Sequence, residues 1–256
     1  MRFLSAAHTD VGIKKKVNQD AFCLKTASTN TRNIVFAVMC DGMGGLKMGE
    51  IASAFLVNAF SNWFDTILPQ NLEKGFQSDV IGRQWQDIVV RQNQLIKNYG
   101  QKNGVSLGTT ITAILICGDE YIVIHVGDSR LYKFGKEISL LTKDHSLVSL
   151  EVEKNKITAE QAKTDSRRNI LLQCVGASNT VNPDVFVGKA SENEVFMLCS
   201  DGFRHEVSEE EMFGVLAPDV LTSEQIIKKS LVDLVNLNKA RGENDNITSI
   251  AIKCIK

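Results

Sequence analysis

Short runs of apolar and β-branched residues constrain this chain more than any other feature of its sequence. Many of them are apolar at every position, which is typical of strands that are buried on both faces. The pair Gly118-Asp119 separates two of the runs and predicts a hairpin turn. The predicted strands are residues 34–40, 109–117, 121–126, 131–134, 194–200 and 247–252. Strands of this kind indicate sheet that lies inside the molecule.

Helical periodicity separates the groups of strands. Apolar residues recur at helix spacing over residues 51–68, and a second helix is predicted at residues 79–97. Three later helices are marked by capping boxes, a serine or threonine followed three residues later by glutamine or glutamate. The boxes are Thr158 with Gln161, Ser208 with Glu211, and Thr222 with Gln225. Hairpin-like groups of strands between long helices favour mixed layers with largely antiparallel sheet, and the pattern alone leaves the topology open.

The composition is that of an ordinary globular protein, and we expect a single domain over residues 1–256. Hydrophobic residues make up 43% and charged residues 23% of the chain. The formal net charge of -1 provides no basic field for nucleic acid. No apolar stretch approaches the ~18 residues of a membrane helix. Six cysteines without closely spaced pairs are typical of reduced, buried thiols, so we predict a cytoplasmic protein without nucleic-acid or membrane partners.

Four aspartates stand where predicted strands end or begin. Asp41, Asp128 and Asp201 follow apolar runs, and Asp245 precedes one. Strand ends are rigid supports, so carboxylates there can converge, and converging carboxylates repel one another unless a cation lies among them. Oxygen ligands without histidine or cysteine suit Mg²⁺ or Mn²⁺. Because a single Asp-Gly pair is usually only a turn, spacing by itself leaves both the turn and the metal interpretation open.

Eight short motifs, in this order, resemble those of the metal-dependent protein phosphatases of the 2C type, in particular compact bacterial members. The match runs from Thr9 to Ile252 and so covers nearly the whole chain. The motifs are Thr9-Asp10-Val11-Gly12, Asn18-Gln19-Asp20, Asp41-Gly42-Met43-Gly44-Gly45, Gly108-Thr109-Thr110, Gly127-Asp128-Ser129-Arg130, Lys143-Asp144-His145-Ser146, Ser200-Asp201-Gly202 and Asp245-Asn246-Ile247-Thr248. Each motif alone is weak evidence, whereas the ordered set is highly specific.

The resemblance implies an α+β fold, a four-layer α-β-β-α sandwich. Two mainly antiparallel sheets would be flanked by helices, with the metal site in a cleft at one end. It also implies hydrolysis of phosphoserine and phosphothreonine in proteins by direct attack of a metal-bridging water, without a phosphorylated enzyme. The expected partners are phosphorylated proteins, the substrates of a cognate serine/threonine kinase, and the expected state is a monomer.

The same resemblance implies two core ions, Mn²⁺ or Mg²⁺, and a third, weaker site. Asp41 would bridge the core ions, and the carbonyl of Gly42 would complete one coordination shell. Asp201 and Asp245 would hold the other core ion. Asp128, together with Asp201, would form the third site.

Further roles are implied for residues around these ligands. Asp20 would orient the metal-bound water, and Asn246 is expected to neighbour water or phosphate. Thr109 and Thr110 are expected only to pack the start of a strand beneath the cleft. Residues 146–169 resemble a mobile flap that shapes substrate access.

Two positions depart from the family pattern. Lys15 stands where the family usually has a phosphate-binding arginine, and the lysine on either side of it could share this task. Met43 replaces a histidine that many eukaryotic members have as a proposed general acid, which leaves His145 and His205 as candidates. His125, within an apolar strand, is interpreted as a hydrogen-bonded core residue.

Two alternative functions stay open at this point. The chain could be a phosphopeptide-binding protein that regulates a kinase without catalysis, or a hydrolase of small phosphoesters. Loss of metal-ligating aspartates would mark the first alternative, and all the expected aspartates are present. Activity on a phosphopeptide compared with a small phosphoester would separate the second.

Overall fold

The computed structural model describes residues 1–43 and 48–256, and within them ten strands form two five-stranded antiparallel sheets. The order in the first sheet is β1 (Arg2–Asp10), β10 (Ile247–Ile255), β9 (Val195–Cys199), β6 (Arg130–Phe134) and β7 (Ile138–Leu140). The order in the second is β2 (Ala21–Ser28), β3 (Asn33–Cys40), β4 (Ile111–Cys117), β5 (Glu120–Val126) and β8 (Asp184–Lys189). The first and last strands pair with each other, from Arg2 with Ile255 to Asp10 with Ile247.

Helices cover the outer faces of both sheets. The helices of the described residues are α1 (Gly49–Thr66), α2 (Leu68–Glu73), α3 (Ser78–Asn103), α4 (Leu147–Glu153), α5 (Ala159–Thr164), α6 (Asp201–Arg204), α7 (Glu209–Leu216) and α8 (Glu224–Ala240). The helices α1 and α3 pack on the second sheet, whereas α7 and α8 pack on the first. This arrangement confirms the predicted four-layer sandwich. Among the described helices, none has the length and apolar character needed to cross a membrane.

The strand β3 shows why the central strands are apolar throughout. Val35, Ala37 and Met39 face the other sheet, where they join the cluster between the two sheets. Phe36 and Val38 point the other way, into the cluster under α1 and α3. Because both faces of the strand are buried, its residues do not alternate between apolar and polar as they do in a strand with one face in solvent.

Several predicted boundaries differ from the structure. Ser223, not Thr222, caps α8, because the Ser223 side chain accepts the backbone N–H of Ile226. The first predicted helix is divided at Ile67 into α1 and α2. The second continues to Asn103, where Gly104 adopts a left-handed conformation with φ of 65° and ends it. The boxes at Thr158 and Ser208 are confirmed, as is the hairpin, in which Gly118 has a φ of 66°.

The strands absent from the prediction lie mainly at sheet edges. They are β1, β2, β7 and β8, each at the edge of its sheet and only partly buried. The predicted strand 109–117 begins at Ile111, because Thr109 and Thr110 bond to the chain around Asp41 instead of extending the β3–β4 ladder. The four edge strands have mixed or short sequences, which lack the continuous apolar pattern that marks the interior strands.

Candidate active site

Strand ends bring the predicted aspartates to one end of the sandwich. Ala21 of β2 pairs with Cys40 of β3, so Asp20 and Asp41 adjoin the same end of this strand pair. In the other sheet, Asp201 begins α6 two residues after β9 ends, and Asp245 lies two residues before β10. Because β9 and β10 are neighbours, they bring these two aspartates to the same place. Asp128 lies in the short connection between β5 and β6.

Two threonines fix the backbone of Asp41. The hydroxyl of Thr110 accepts the N–H of Asp41 at 3.0 Å, and the hydroxyl of Thr109 donates to its carbonyl at 2.9 Å. The hydroxyls of Thr110 and Ser129 are 2.8 Å apart. The expectation that these threonines only pack is therefore wrong: they hydrogen-bond to the residue predicted to bridge two ions.

Glycine is required at the residue after Asp41. A side chain at Gly42 would overlap the carbonyl of Gln19 and the backbone of Gly49. The N–H of Gly42 donates to the same Gln19 carbonyl at 3.2 Å. This close backbone packing fixes the position of the Gly42 carbonyl, the predicted ligand. Gly44 and Gly45 of the same motif lie outside the described residues.

Asp20 has one carboxylate oxygen fixed and one without a partner. The hydroxyl of Thr248 donates to Oδ2 of Asp20 at 2.6 Å. Oδ1 is buried and has no hydrogen-bond partner among the described residues. Burial raises the pKa of Asp20 to about 7, and the charges of Asp201 and Asp245 add to this rise, against the Thr248 hydrogen bond. An orphaned buried oxygen in such surroundings is a ready acceptor for water or a cation's hydration shell.

The electrostatics of Asp41 show how strongly the carboxylates affect one another. Burial raises the pKa of Asp41 well above its ordinary value, and the charges of the four other site aspartates raise it further. Within residues 1–43 and 48–256, no three acidic, histidine or cysteine side chains form a compact ligand group. The donors nevertheless fit a divalent cation, because they are all oxygens and their mutual repulsion is relieved by positive charge.

Lys15 supplies positive charge to this group. Its Nζ lies 2.8 Å from Oδ1 of Asp245, and its side chain is 30% exposed. Burial alone would lower the pKa of Lys15, but the hydrogen bond to Asp245 and the other carboxylates of the site raise it above its ordinary value. Lys14 and Lys16 are exposed. The loop therefore directs the middle lysine, the one selected from the sequence, toward the aspartates.

Asn246 holds the loop that carries Lys15. Its amide nitrogen donates to the carbonyls of Val11 and Val17 at 3.0 and 3.2 Å, and its amide oxygen accepts the N–H of Gln19 at 2.9 Å. The residue is 3% exposed. The expectation that Asn246 neighbours water or phosphate is wrong for its side chain, because three backbone groups occupy the amide.

Asp128 is accompanied by two arginines and a second aspartate. Arg204 donates from Nη2 to the carbonyl of Asp128 at 3.0 Å and lies 3.8 Å from its Oδ2. Arg130 binds both carboxylate oxygens of Asp144 at 2.9 Å. Burial raises the pKa of Asp128 to about 7, the charge of Asp201 adds to the rise, and Arg204 opposes it. Arg130 and Asp144 belong to the quoted motifs, but their pairing was not foreseen.

His205 and Glu243 form a pair next to Asp201 and Asp245 that the sequence did not predict. Nδ1 of His205 bonds to Glu243 at 3.0 Å, and its Nε2 lies 3.6 Å from Oδ2 of Asp201. The other oxygen of Glu243 accepts the N–H of Asp245 at 2.7 Å. Placement two residues before Asp245 was the only sequence signal for Glu243.

The other two histidines of the prediction lie together, away from this contact. Both ring nitrogens of His125 are bonded, to the hydroxyl of Thr112 and the carbonyl of Lys143, which confirms the buried core histidine. His145 bonds through Nε2 to Asp184 at 3.0 Å and accepts the N–H of Gly127 at Nδ1. Of the two candidate general acids, only His205 lies against a predicted metal ligand.

The predicted flap, residues 146–169, contains α4 and α5. Arg167 joins Glu151 and Asp165 by ion pairs of 2.8 and 2.7 Å, which link the two ends of the segment. A cleft of about 340 Å³ lies at its base, lined in part by His145 and Leu172. A role in substrate access stays a prediction.

Comparison with known proteins agrees with this geometry. The sequence matches the family model described as Protein phosphatase 2C over residues 9–236. A putative protein phosphatase 2C-type from Streptococcus pyogenes is 32% identical over 244 residues, which cover 94% of this chain and 93% of that protein. The structure of the S. agalactiae serine/threonine phosphatase has a TM-score of 0.82 at 32% identity, covering 99% of this chain and 100% of that one. Serine/threonine phosphatase Stp1 from Staphylococcus aureus has a TM-score of 0.86 at 28% identity, covering 100% and 96%.

Proposed function

The chain belongs to the protein phosphatase 2C family, and we propose that it hydrolyses phosphoserine and phosphothreonine in proteins. The observation that carries the proposal is the group of aspartates at one end of the sandwich, in which the charges of Asp201 and Asp245 add to the raised pKa of Asp20 and Asp41. Such a group calls for cations, and phosphate esters are substrates whose charge cations neutralise. The family is metal-dependent, so the activity requires a divalent ion.

We assign the two core ions, Mn²⁺ or Mg²⁺, to Asp41, the Gly42 carbonyl, Asp201 and Asp245. When bound there, the ions supply an activated water and neutralise the phosphoryl group. The donor set supports this assignment because hard cations prefer oxygen. Thr109 and Thr110 support it too, since they hold the backbone of Asp41 in place before any ligand arrives.

Asp20 is proposed to orient and deprotonate the attacking water. Thr248 holds one of its oxygens, so the carboxylate is fixed while Oδ1 stays available as an acceptor. The proton would go from the water to Oδ1 of Asp20 as the oxygen attacks phosphorus. The bond from phosphorus to the serine or threonine oxygen would break, and that oxygen would take up a proton from solvent.

Lys15 is proposed to hold the phosphate of the substrate. Its ammonium already lies at the aspartates, so it can follow a phosphoryl group that enters the site. A lysine acts as a single charged donor, in contrast to the two-pronged arginine of the usual family pattern. Asp128, with Asp201, is proposed as a third and weaker metal site.

The expected partners are proteins that a cognate serine/threonine kinase has phosphorylated. We propose that the enzyme acts on them in the cytoplasm, as a monomer. The relatives named as serine/threonine phosphatases support the protein substrate. Six unpaired cysteines support a reducing compartment.

Kinetics on two kinds of substrate test this function. With Mn²⁺ present, the enzyme should hydrolyse a phosphothreonine peptide with a higher kcat/KM than a small sugar phosphate. Asp41→Asn should lower kcat/KM by at least about 100-fold, because loss of groups that merely support a metal already costs 10–100-fold. Asp119→Asn, in the exposed hairpin turn, is the matched control and should retain full activity. A preference for the sugar phosphate would favour the small-phosphoester alternative, and inactivity on both would favour the regulatory one.

A further inference from the structure

The short helix α6 places the positive charge of Arg204 beside Asp128, one of the two aspartates proposed for the third ion. Asp201 and Arg204 are three residues apart in α6 and so point to the same side. Nη2 of Arg204 bonds to the carbonyl of Asp128 at 3.0 Å and lies 3.8 Å from its Oδ2. The Arg204 side chain is 14% exposed, so solvent screens its charge only weakly.

The other charged side chains near Asp128 are paired elsewhere, which leaves Arg204 as its counter-charge. Asp144, which also lies near Arg204, is bound at both oxygens by Arg130. Arg130 is further engaged by the hydroxyl of Tyr132. His205 bonds to Glu243 at 3.0 Å, and its Nε2 lies 3.6 Å from Asp201. Among the described residues, the positive charge that contacts the Asp128 carboxylate is therefore that of Arg204.

Arg204 is bonded more loosely than a structural arginine. Its Nε is buried without a hydrogen-bond partner in the described part of the chain, and its second ion contact, to Asp144, is 3.6 Å. Arg130, by contrast, makes a two-pronged pair with both distances at 2.9 Å. A guanidinium with one short bond and two long contacts can shift when another cation approaches Asp128.

We propose that Arg204 competes with the metal at the third site. Its guanidinium neutralises Asp128 and repels a divalent cation held between Asp128 and Asp201, which keeps the third ion weakly bound. The inference rests on the proposed function, because it takes these two aspartates as the third site. Two cations that share one carboxylate within a few ångströms oppose each other, more strongly where water is largely excluded.

Calorimetric titration of metal-free protein with Mn²⁺ tests the proposal. Wild-type protein should bind two ions tightly and one weakly. Arg204→Gln and Arg204→Met remove the charge and should tighten the weak event about tenfold or more, leaving the tight events nearly unchanged. Arg204→Lys retains the charge and should bind as weakly as wild type. Thermal unfolding in chelator identifies the neutral variants that are folded, and either one suffices.

Asp128→Asn shows where any tightening arises. It should remove the weak event in the wild-type and Arg204→Gln backgrounds. A weak event that is unchanged or weaker in the folded neutral variants overturns the inference, as does tightening that persists in the Arg204→Gln/Asp128→Asn double variant. Absence of the two tight events in wild type would instead overturn the proposed function and remove the basis of this inference with it.

Discussion

Three consecutive lysines follow β1, and the middle one alone among them bonds to a site aspartate. Lys15→Ala should raise KM for a phosphothreonine peptide roughly tenfold, because a charge-assisted contact is worth ~1.5–3 kcal/mol and partial solvent exposure reduces it. The change should affect kcat less, since Asp41, Asp201 and the core ions stay in place. Steady-state kinetics on one peptide measure both constants.

Three further variants define this role. Lys15→Arg should equal or improve the wild-type KM, because a guanidinium binds phosphate through two donors. Lys14→Ala and Lys16→Ala alter exposed neighbours and serve as matched controls. If Lys15→Ala retains both wild-type constants, the lysine is an ordinary surface residue and its assignment is wrong.

The loop around Lys15 acts as one element because Asn246 joins its two ends. Asn246→Ala removes the bonds to the carbonyls of Val11 and Val17, so the loop should no longer hold Lys15 in position. We expect KM for the phosphopeptide to rise by about as much as in Lys15→Ala. The double variant should be little worse than either single variant, because both changes remove the same contact.

Additivity separates this role from general damage to the fold. Fully additive effects of Lys15→Ala and Asn246→Ala on KM would show that Asn246 acts independently of the lysine. Asn244→Ala changes an exposed asparagine two residues away and is the control. Mn²⁺ titration of each variant shows whether Asp245, the proposed ligand between the two asparagines, still binds metal.

The buried histidine of β5 should make stability depend on pH. Burial lowers the pKa of His125 from 6.5 to about 4, and the nearby His145 adds to the decrease. The unfolded chain therefore binds a proton between these values that the folded protein does not. The contribution of neutral His125 to the free energy of unfolding is therefore complete above pH 6.5. It declines as pH falls toward 4, by about 3 kcal/mol in total.

Urea unfolding of wild type and His125→Gln at several pH values checks this linkage. The difference between their unfolding free energies should shrink as pH falls from 6.5 to 4. Taking the difference cancels the titration of groups that the two proteins share. A difference that stays constant over this range would show that His125 does not titrate as described.

At the level of strands and helices, the sequence predicted what local patterns determine. The interior strands β3, β4 and β5 were found because burial on both faces requires apolar residues throughout. The strand β8 was missed, since its edge position leaves Val187 exposed and Gly188 against the ring of Tyr121. Strand order depends on which distant segments pair, and no local pattern records that.

The same distinction applies to the site. The aspartates were predicted from the strand ends and the ordered motifs, and the structure brings them to one end of the sandwich. The role of Arg204 could not be predicted, because its partner Asp128 is 76 positions away in the chain. Asn246 was placed beside the site but given the wrong contact, since its acceptors belong to a loop more than 200 positions earlier.

At the scale of the whole molecule, both sheets have strands that end at the same place, and acidic residues stand at these strand ends. One sheet supplies Asp20 and Asp41, the other supplies Asp201 and Asp245, and Asp128 lies in the connection between the two sheets. The core between the sheets holds these supports rigidly, so the carboxylates are kept at the same end of the sandwich despite their repulsion. We therefore expect the function of the molecule to depend on cations that residues of both sheets bind together.

Removal and return of the metal test this account most directly. Protein freed of metal by a chelator, with its metal content verified, should not hydrolyse a phosphothreonine peptide. Mn²⁺ or Mg²⁺ should restore turnover to the wild-type protein but not to Asp41→Asn. Full turnover by the verified metal-free protein would contradict the account.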